Sequence, residues 1–199
     1  MSKREISVIL FDRFEILDAM GPVEMFASLP KEMHVECYSE NGGAVRSTQN
    51  VIVETLPFEY IPPGTTLLIP GGIGTRSLVS DVSYIEQLKA LAESAEYVLT
   101  VCTGSLLFAK TGLLNSKKAT TNKTAFAWVR EQTPDVLWQS SARWVVDGNY
   151  FTSSGVSAGM DMAIAFISAQ HGQETANWVL KYTEYVANHD ATNDPFAAE

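Results

Sequence analysis

The sequence predicts an α/β sandwich, a mainly parallel sheet with helices on both faces. Short apolar, β-branched runs alternate along the chain with segments whose apolar residues recur at helical spacing. Four turns, at 12–18, 70–74, 102–105 and 153–157, each follow a strand-like run, so they gather at the carboxyl edge of such a sheet, where ligands bind. A length of 199 residues with 46% hydrophobic content suits one domain over 1–199 with a sizeable core, and no linker, repeat or low-complexity stretch interrupts it.

The first strand is expected at 6–11. A loop follows at 12–17, and Gly21-Pro22 is expected to open a helix, with Pro22 at the first helical position where its missing N–H costs nothing. That helix runs to about Leu29, and Pro30 stops it. A second strand is expected at 35–39, then a turn at Asn41-Gly42-Gly43. Residues 51–54 form a short strand, one arm of a hairpin with residues near Val45. A loop at Pro62-Pro63-Gly64 leads to a strand over 66–69. An amphipathic helix over 84–94 places Ile85, Leu88 and Leu91 on one face.

The stretch from Tyr97 to Leu114 organises the rest. Val98, Leu99 and Val101 make a buried strand. Cys102-Thr103-Gly104-Ser105 follows at once, then Leu106, Leu107, Ala109 and Leu113 at helical spacing, with Gly112 as the stop. Cys102 therefore occupies a sharp strand-to-helix corner, the geometry of a nucleophile elbow. Amide groups at the helix start favour thiolate there. The alternative is a small buried cysteine filling a strand end. Gly104 favours function, because it permits close approach of a ligand to the turn.

Residues 117–121 are short and extended, and 124–130 are helical. Residues 143–146 and 150–153 make a β-hairpin around Asp147-Gly148. Ser157 is expected to cap a long apolar helix that ends at His171 before Gly172. A last helix is expected from 174 to about 187, and the tail from His189 is polar and loop-like.

The formal net charge of −9 argues against nucleic acid or an anionic membrane as partner. No window has the unbroken apolar length of a membrane span. The N-terminal apolar run meets Asp12 and Arg13 and lacks a cleavage site, so it reads as a strand, not a signal peptide. Cys37 and Cys102 form neither a disulfide framework nor a zinc pattern, which predicts a reducing cytoplasm and no metal.

The stretch around Cys102, together with ILFDRFEILDAMGP, LLIPGG, GLLNSKKATTN and DGNYFTSSGVSAGMDMAI in order, resembles the ThiJ/PfpI superfamily, and within it the isocyanide-hydratase-like branch. The resemblance spans nearly the whole chain. It implies a flavodoxin-like, class I glutamine amidotransferase-like sandwich, a homodimer, and a small-molecule substrate with no cofactor. It also implies that Asp18 lies beside the Cys102 sulfur as general acid/base; burial near a thiolate would raise its pKa. Read from the residues alone, Asp18 is an ordinary carboxylate near a helix start, with Glu15 and Glu24 as neighbours.

Gly71 and Gly72 are a tight turn or, beside the elbow, part of an oxyanion hole formed by the Gly72 and Thr103 N–H groups. Ser154, Gly155, Val156 and Ser157 are expected to line the pocket with backbone N–H groups. Asp161 reads as a helix-dipole complement. Trp128, Trp138, Trp144 and Trp178 read as core or dimer packing. The resemblance adds Tyr185 and Phe196 as closers of the pocket.

Two departures from the wider superfamily matter. Thr103 and Asn122 stand where other branches carry His, and neither His34, His171 nor His189 lies in a matching motif. The chemistry must therefore run on a Cys–Asp pair, which disfavours amidase and peptidase readings. The resemblance to the isocyanide-hydratase-like branch implies hydration of an isocyanide to an N-substituted formamide through a covalent thioimidate. The alternatives are a hydrolase of the amidase or peptidase kind, aldehyde detoxification, or a cysteine redox sensor. A ligand-sensing half of a transcription regulator is set aside for want of a helix-turn-helix.

Overall fold

The computed structural model describes residues 3–197. The strands are β1 (Arg4–Ile9), β2 (Met33–Ser39), β3 (Asn41–Arg46), β4 (Ile52–Pro57), β5 (Thr66–Ile69), β6 (Tyr97–Val101), β7 (Lys118–Ala119), β8 (Leu137–Trp138), β9 (Trp144–Asp147) and β10 (Tyr150–Ser153). The helices are α1 (Ile16–Ala27), α2 (Thr75–Leu78), α3 (Val82–Ser94), α4 (Gly104–Lys110), α5 (Phe126–Gln132), α6 (Ala158–His171) and α7 (Gln173–Tyr182). Eight strands form the main sheet in the order β3-β4-β2-β1-β5-β6-β10-β9, and β7 pairs with β8 apart from it. The run from β4 through β10 is parallel, and only the hairpins β3–β4 and β9–β10 are antiparallel.

Helices cover both faces. Phe151 meets Phe166 of α6 edge-on at 5.2 Å, whereas its neighbour Tyr150 meets Phe108 of α4 at 4.9 Å. Successive strand residues point to opposite faces, so α4 and α6 lie on opposite sides of the sheet. The middle strand β5, TLLI, is fully buried at all four positions, as a parallel strand covered on both sides must be. One contiguous core runs from Ile6 through Val179. No helix among the described residues is long and apolar enough to cross a membrane.

Several expected boundaries shift. Helix α1 begins at Ile16, and Pro22 lies inside it instead of opening it. Pro22 offers no N–H to the carbonyl of Asp18 four residues back, but it is buried where α6 approaches. A Cβ on Gly159 of α6 would lie 3.3 Å from Pro22 Cγ and 2.8 Å from Val101 Cγ2. Packing against α6 thus overrides the local start signal. Asn41-Gly42-Gly43, expected as a turn, opens β3, with both glycines at positive φ. Helix α7 ends at Tyr182, not near 187, and Glu184 at φ 51° turns the chain away. On α3 the buried face is Tyr84, Leu88 and Ala92, and Ile85 is only partly covered. Of the expected loop-like tail, residues 198–199 lie outside the described residues.

The chain runs from β1 to β2 on one side and later to β5 on the other. The strand order therefore reverses between β1 and β5, and the crevice at their carboxyl ends is the natural binding place in this architecture.

Candidate active site

Four strand ends build the site. After β1, α1 carries Asp18 in its first turn. After β5 comes Gly71-Gly72, after β6 Cys102, and after β10 the turn to Val156. Cys102 has φ 56°, a left-handed conformation that costs a residue with a Cβ about 1–2 kcal/mol. The surroundings hold it there. Its N–H donates to Ser154 O at 3.1 Å, and its carbonyl accepts the hydroxyls of Ser105 at 2.8 Å and Thr121 at 3.0 Å. Gly104 is required for a packing reason, since a Cβ there would lie 2.2 Å from Ile69 O. The elbow is thus pressed against the end of β5. Val156 is a second strained residue, at φ 46°, which is rare for a β-branched side chain.

Asp18 is wholly buried and Cys102 nearly so. Asp18 Oδ2 accepts the Gly71 N–H at 3.0 Å, while Oδ1 is buried without a hydrogen bond. The Cys102 thiol and the Val156 N–H approach the carboxyl and favour its charged form, though neither completes a hydrogen bond to Oδ1 at rest. Burial outweighs these contacts and pushes the carboxyl up to about 7, with the charge of Glu15 adding to the rise. Burial also pushes the Cys102 thiol up, and the Asp18 charge adds to that. The thiolate expected from the helix start is therefore not the resting form. The Thr103 N–H and hydroxyl approach the sulfur and oppose the rise without cancelling it.

Gly71 cannot carry a side chain, because a Cβ would lie 2.6 Å from Thr103 N and 2.9 Å from Asp18 Oδ2. Gly72 N–H donates to Thr103 Oγ1 at 3.2 Å, so an incoming oxygen reaches that amide only by displacing the hydroxyl. Thr75 Oγ1 also donates to Thr103 Oγ1 at 3.2 Å.

A cavity of about 240 Å³ opens over the sulfur, lined by Glu15, Gly72, Cys102, Thr103, Asn122 and Val156, and also by Arg76. Asn122 Oδ1 caps the next turn by accepting from Ala125 N at 3.0 Å. A second cavity of about 520 Å³ shares Asn122 and Val156 with the first and adds Lys123, Ser157 and Phe196. Ser157 stands at the N-cap position of α6 but makes no capping bond; its hydroxyl accepts from Arg143 Nη2 at 3.4 Å.

Sequence reasoning missed the buried support behind this loop. Asp161, expected as a dipole complement, accepts from Arg143 Nε at 2.6 Å, from the Tyr185 hydroxyl at 2.8 Å and from the Asn188 N–H at 2.9 Å. Arg143 also pairs with Asp194 at 3.5 Å. Tyr185 therefore ties the tail to α6 instead of closing the pocket, and Phe196 reaches only the second cavity. Trp128, expected as core or dimer packing, lies under the Arg76 guanidinium, 3.5 Å from ring centroid to Cζ. Only spatial neighbourhood reveals these pairs. No group of metal-ligating side chains occurs among the described residues.

Residues 4–169 match the DJ-1/PfpI family. Isonitrile hydratase of Pseudomonas putida is 33% identical over 183 residues, covering 91% of this chain and 78% of that protein. The HTH-type transcriptional regulator GbdR of Pseudomonas aeruginosa is 28% identical over 177 residues, which are 86% of this chain but only 48% of the regulator. The crystal structure of a ThiJ/PfpI family protein from Pseudomonas syringae superposes with a TM-score of 0.82 at 27% identity, over 94% of this chain and 77% of that one.

Proposed function

The chain belongs to the DJ-1/PfpI family, and from that membership we propose that it is a cysteine-dependent enzyme that hydrates a small isonitrile to an N-substituted formamide. One observation carries the reading: a buried Asp18–Cys102 pair at a strand-to-helix corner, whose carboxyl titrates near 7, with no histidine lining the cavity. The similarity to isonitrile hydratase supports the choice of reaction.

The chemistry follows from where the protons lie. At rest the thiol keeps its proton and Asp18 is half ionised near neutral pH. As the sulfur attacks the terminal carbon of R–N≡C, Asp18 takes the thiol proton and delivers it to that carbon, giving Cys102–S–CH=N–R. Water then adds to the same carbon. Asp18 accepts a proton from the water and passes it to nitrogen. The tetrahedral adduct collapses, the C–S bond breaks, and R–NH–CHO leaves as the thiol regains its proton. The Thr103 N–H, with the Gly72 N–H once Thr103 Oγ1 yields it, stabilises the oxygen of the adduct. The net change is addition of one water, and no electron is transferred.

A redox sensor needs a standing thiolate, and burial beside Asp18 works against one. Both cysteines are free thiols, which suits a reducing cytoplasm. The homodimer implied by the resemblance belongs to the same reading; exposed Trp178 and Tyr182, stacked at 5.1 Å, are a surface suited to self-contact.

The test is hydration of an aryl isocyanide, followed as formamide. Wild-type protein turns over, while Cys102→Ala and Asp18→Asn lose activity by about 10³-fold or more with unchanged circular dichroism. Turnover surviving in Cys102→Ala removes the proposal.

A further inference from the structure

The cavity over Cys102 holds a cation that the hydration chemistry does not use. Arg76, on α2, lines the cavity together with Cys102 and Thr103. Its guanidinium sits over the indole of Trp128, with Cζ 3.5 Å from the ring centroid, the close approach of a stacked pair. Ion pairs among the described residues engage Arg4, His34, Lys117 and Arg143, but not Arg76. A protein of net charge −9 has carboxylates to spare, yet none among the described residues pairs with this side chain.

Stacking on an aromatic face fixes the plane of a guanidinium and leaves its edge of N–H donors open. That edge matches a carboxylate in a two-pronged pair, and its fixed plane lowers the ordering cost when the pair forms. The other charged group in the cavity is Glu15. Gln49 Nε2 donates to its Oε1 at 2.6 Å, so Glu15 is held by the β3–β4 turn and not by Arg76. A ligand carrying one negative charge is therefore drawn to the Arg76 side and turned from the Glu15 side. The cavity, about 240 Å³, lies just below the usual range of small-molecule sites and suits a ligand of roughly ten to fifteen non-hydrogen atoms.

We propose that Arg76, held on Trp128, is a specificity residue that binds a carboxylate on the substrate, so that the preferred substrate is a small electrophile bearing a carboxylate rather than a neutral one. This rests on Cys102 being the nucleophile of the proposed function, but not on the electrophile being an isonitrile. Arg76 acts by binding and orienting; the reacting carbon meets only Cys102 and Asp18.

Two arms separate the claims. In the first, alkylation of Cys102 is followed by peptide mass with N-ethylmaleimide and with 3-maleimidopropionate, a neutral and an anionic electrophile of similar size. The anionic-to-neutral rate ratio falls about tenfold in Arg76→Gln, the scale of one charge-assisted hydrogen bond at a partly exposed site. It falls further in Arg76→Glu, and because both probes react with the same sulfur the ratio cancels any change that either variant makes in the thiolate fraction. In the second arm, 4-isocyanobenzoate and phenyl isocyanide are compared as substrates. Wild-type protein favours the carboxylate, and Arg76→Gln removes the preference through KM with kcat retained.

A rate ratio that is equal in wild type, Arg76→Gln and Arg76→Glu overturns the inference. If the ratio falls as expected but neither isocyanide is hydrated, the Arg76 inference stands and the hydratase reading falls.

Discussion

Asp18 and Cys102 hold one proton that is mobile near neutral pH, and the pair titrates as a unit. The reactive arrangement, thiolate beside carboxylic acid, carries the same net charge as the resting thiol beside carboxylate. Its population therefore rises as the first proton leaves the pair, with Asp18 titrating at about 7, and then levels. Turnover at low substrate should climb tenfold per pH unit below about 7 and flatten above it. A rate that falls as pH rises through 7 would mean that Asp18 must be protonated in the free enzyme, and would overturn this assignment. Replacing Asp18 by Asn removes the charge that raises the thiol, so the alkylation profile of Cys102 moves down in pH even though turnover is lost. Cys102 was legible in the sequence because a strand, a corner and a helix can be read from periodicity. Asp18 was not: its proximity to the sulfur depends on how two strand-end loops meet, and only the family resemblance pointed to it. Arg143 and Asp161 were less visible still, since Arg143 alone reads as the start of a hairpin strand and Asp161 as a helix-dipole complement, and only the fold pairs them.

At the scale of elements, the site depends on how closely β5, β6 and α4 approach. A Cβ on Gly104 meets backbone oxygen of Ile69 at 2.2 Å and of Pro70 at 2.7 Å. No side-chain rotation relieves that contact, so β5 and the elbow must move apart. Gly104→Ala should lose several kcal/mol of stability, the range of severe overpacking, and alkylation of Cys102 should change with it. Gly148 is the control. It turns the β9–β10 hairpin at φ 64° with nothing within 4 Å of an added Cβ. Gly148→Ala should cost only about 1–2 kcal/mol of backbone strain and leave the site intact. Urea unfolding of the two variants checks the contrast; equal losses would show that the elbow has slack. The hairpin was readable from Asp147-Gly148 because turn chemistry is local. The start of α1 was not, because Gly21-Pro22 imitates a start signal while packing against Gly159 and Met160 of α6 allows a proline inside the helix.

For the whole molecule, alternation of strands and helices fixed the layers, but not the order of strands. Order depends on pairings between distant segments, such as β1 with β5 and β6 with β10, which leave no periodic trace. That order places a wholly buried carboxyl group at the switch point, and the cost falls on the stability of the entire fold. Asp18 is raised from 3.8 to about 7 on folding, chiefly by burial. The folded state therefore binds this proton more tightly than the unfolded chain. Its contribution to stability is fully present below about pH 4 and is lost as pH rises to about 7, with a total of roughly 4 kcal/mol. Asp18→Asn keeps the shape and an acceptor for the Gly71 N–H but carries no titrating group. Its melting temperature relative to wild type should therefore rise between pH 4.5 and pH 8. At 2–4 °C per kcal/mol for a chain of this size, the rise is on the order of 10 °C. Taking the difference between the two proteins at each pH cancels the titrating groups that do not interact with Asp18, which both share; Cys102, which does interact, is held out of the comparison by using Cys102→Ala as the background for both. A gap that stays constant with pH would show that Asp18 titrates alike in the folded and unfolded chain. A gap that grows instead toward acid pH would place its folded pKa below the unfolded one, as for a carboxylate stabilised by its hydrogen bonds. Either result removes the poised carboxyl on which the proton relay between Asp18 and Cys102 depends.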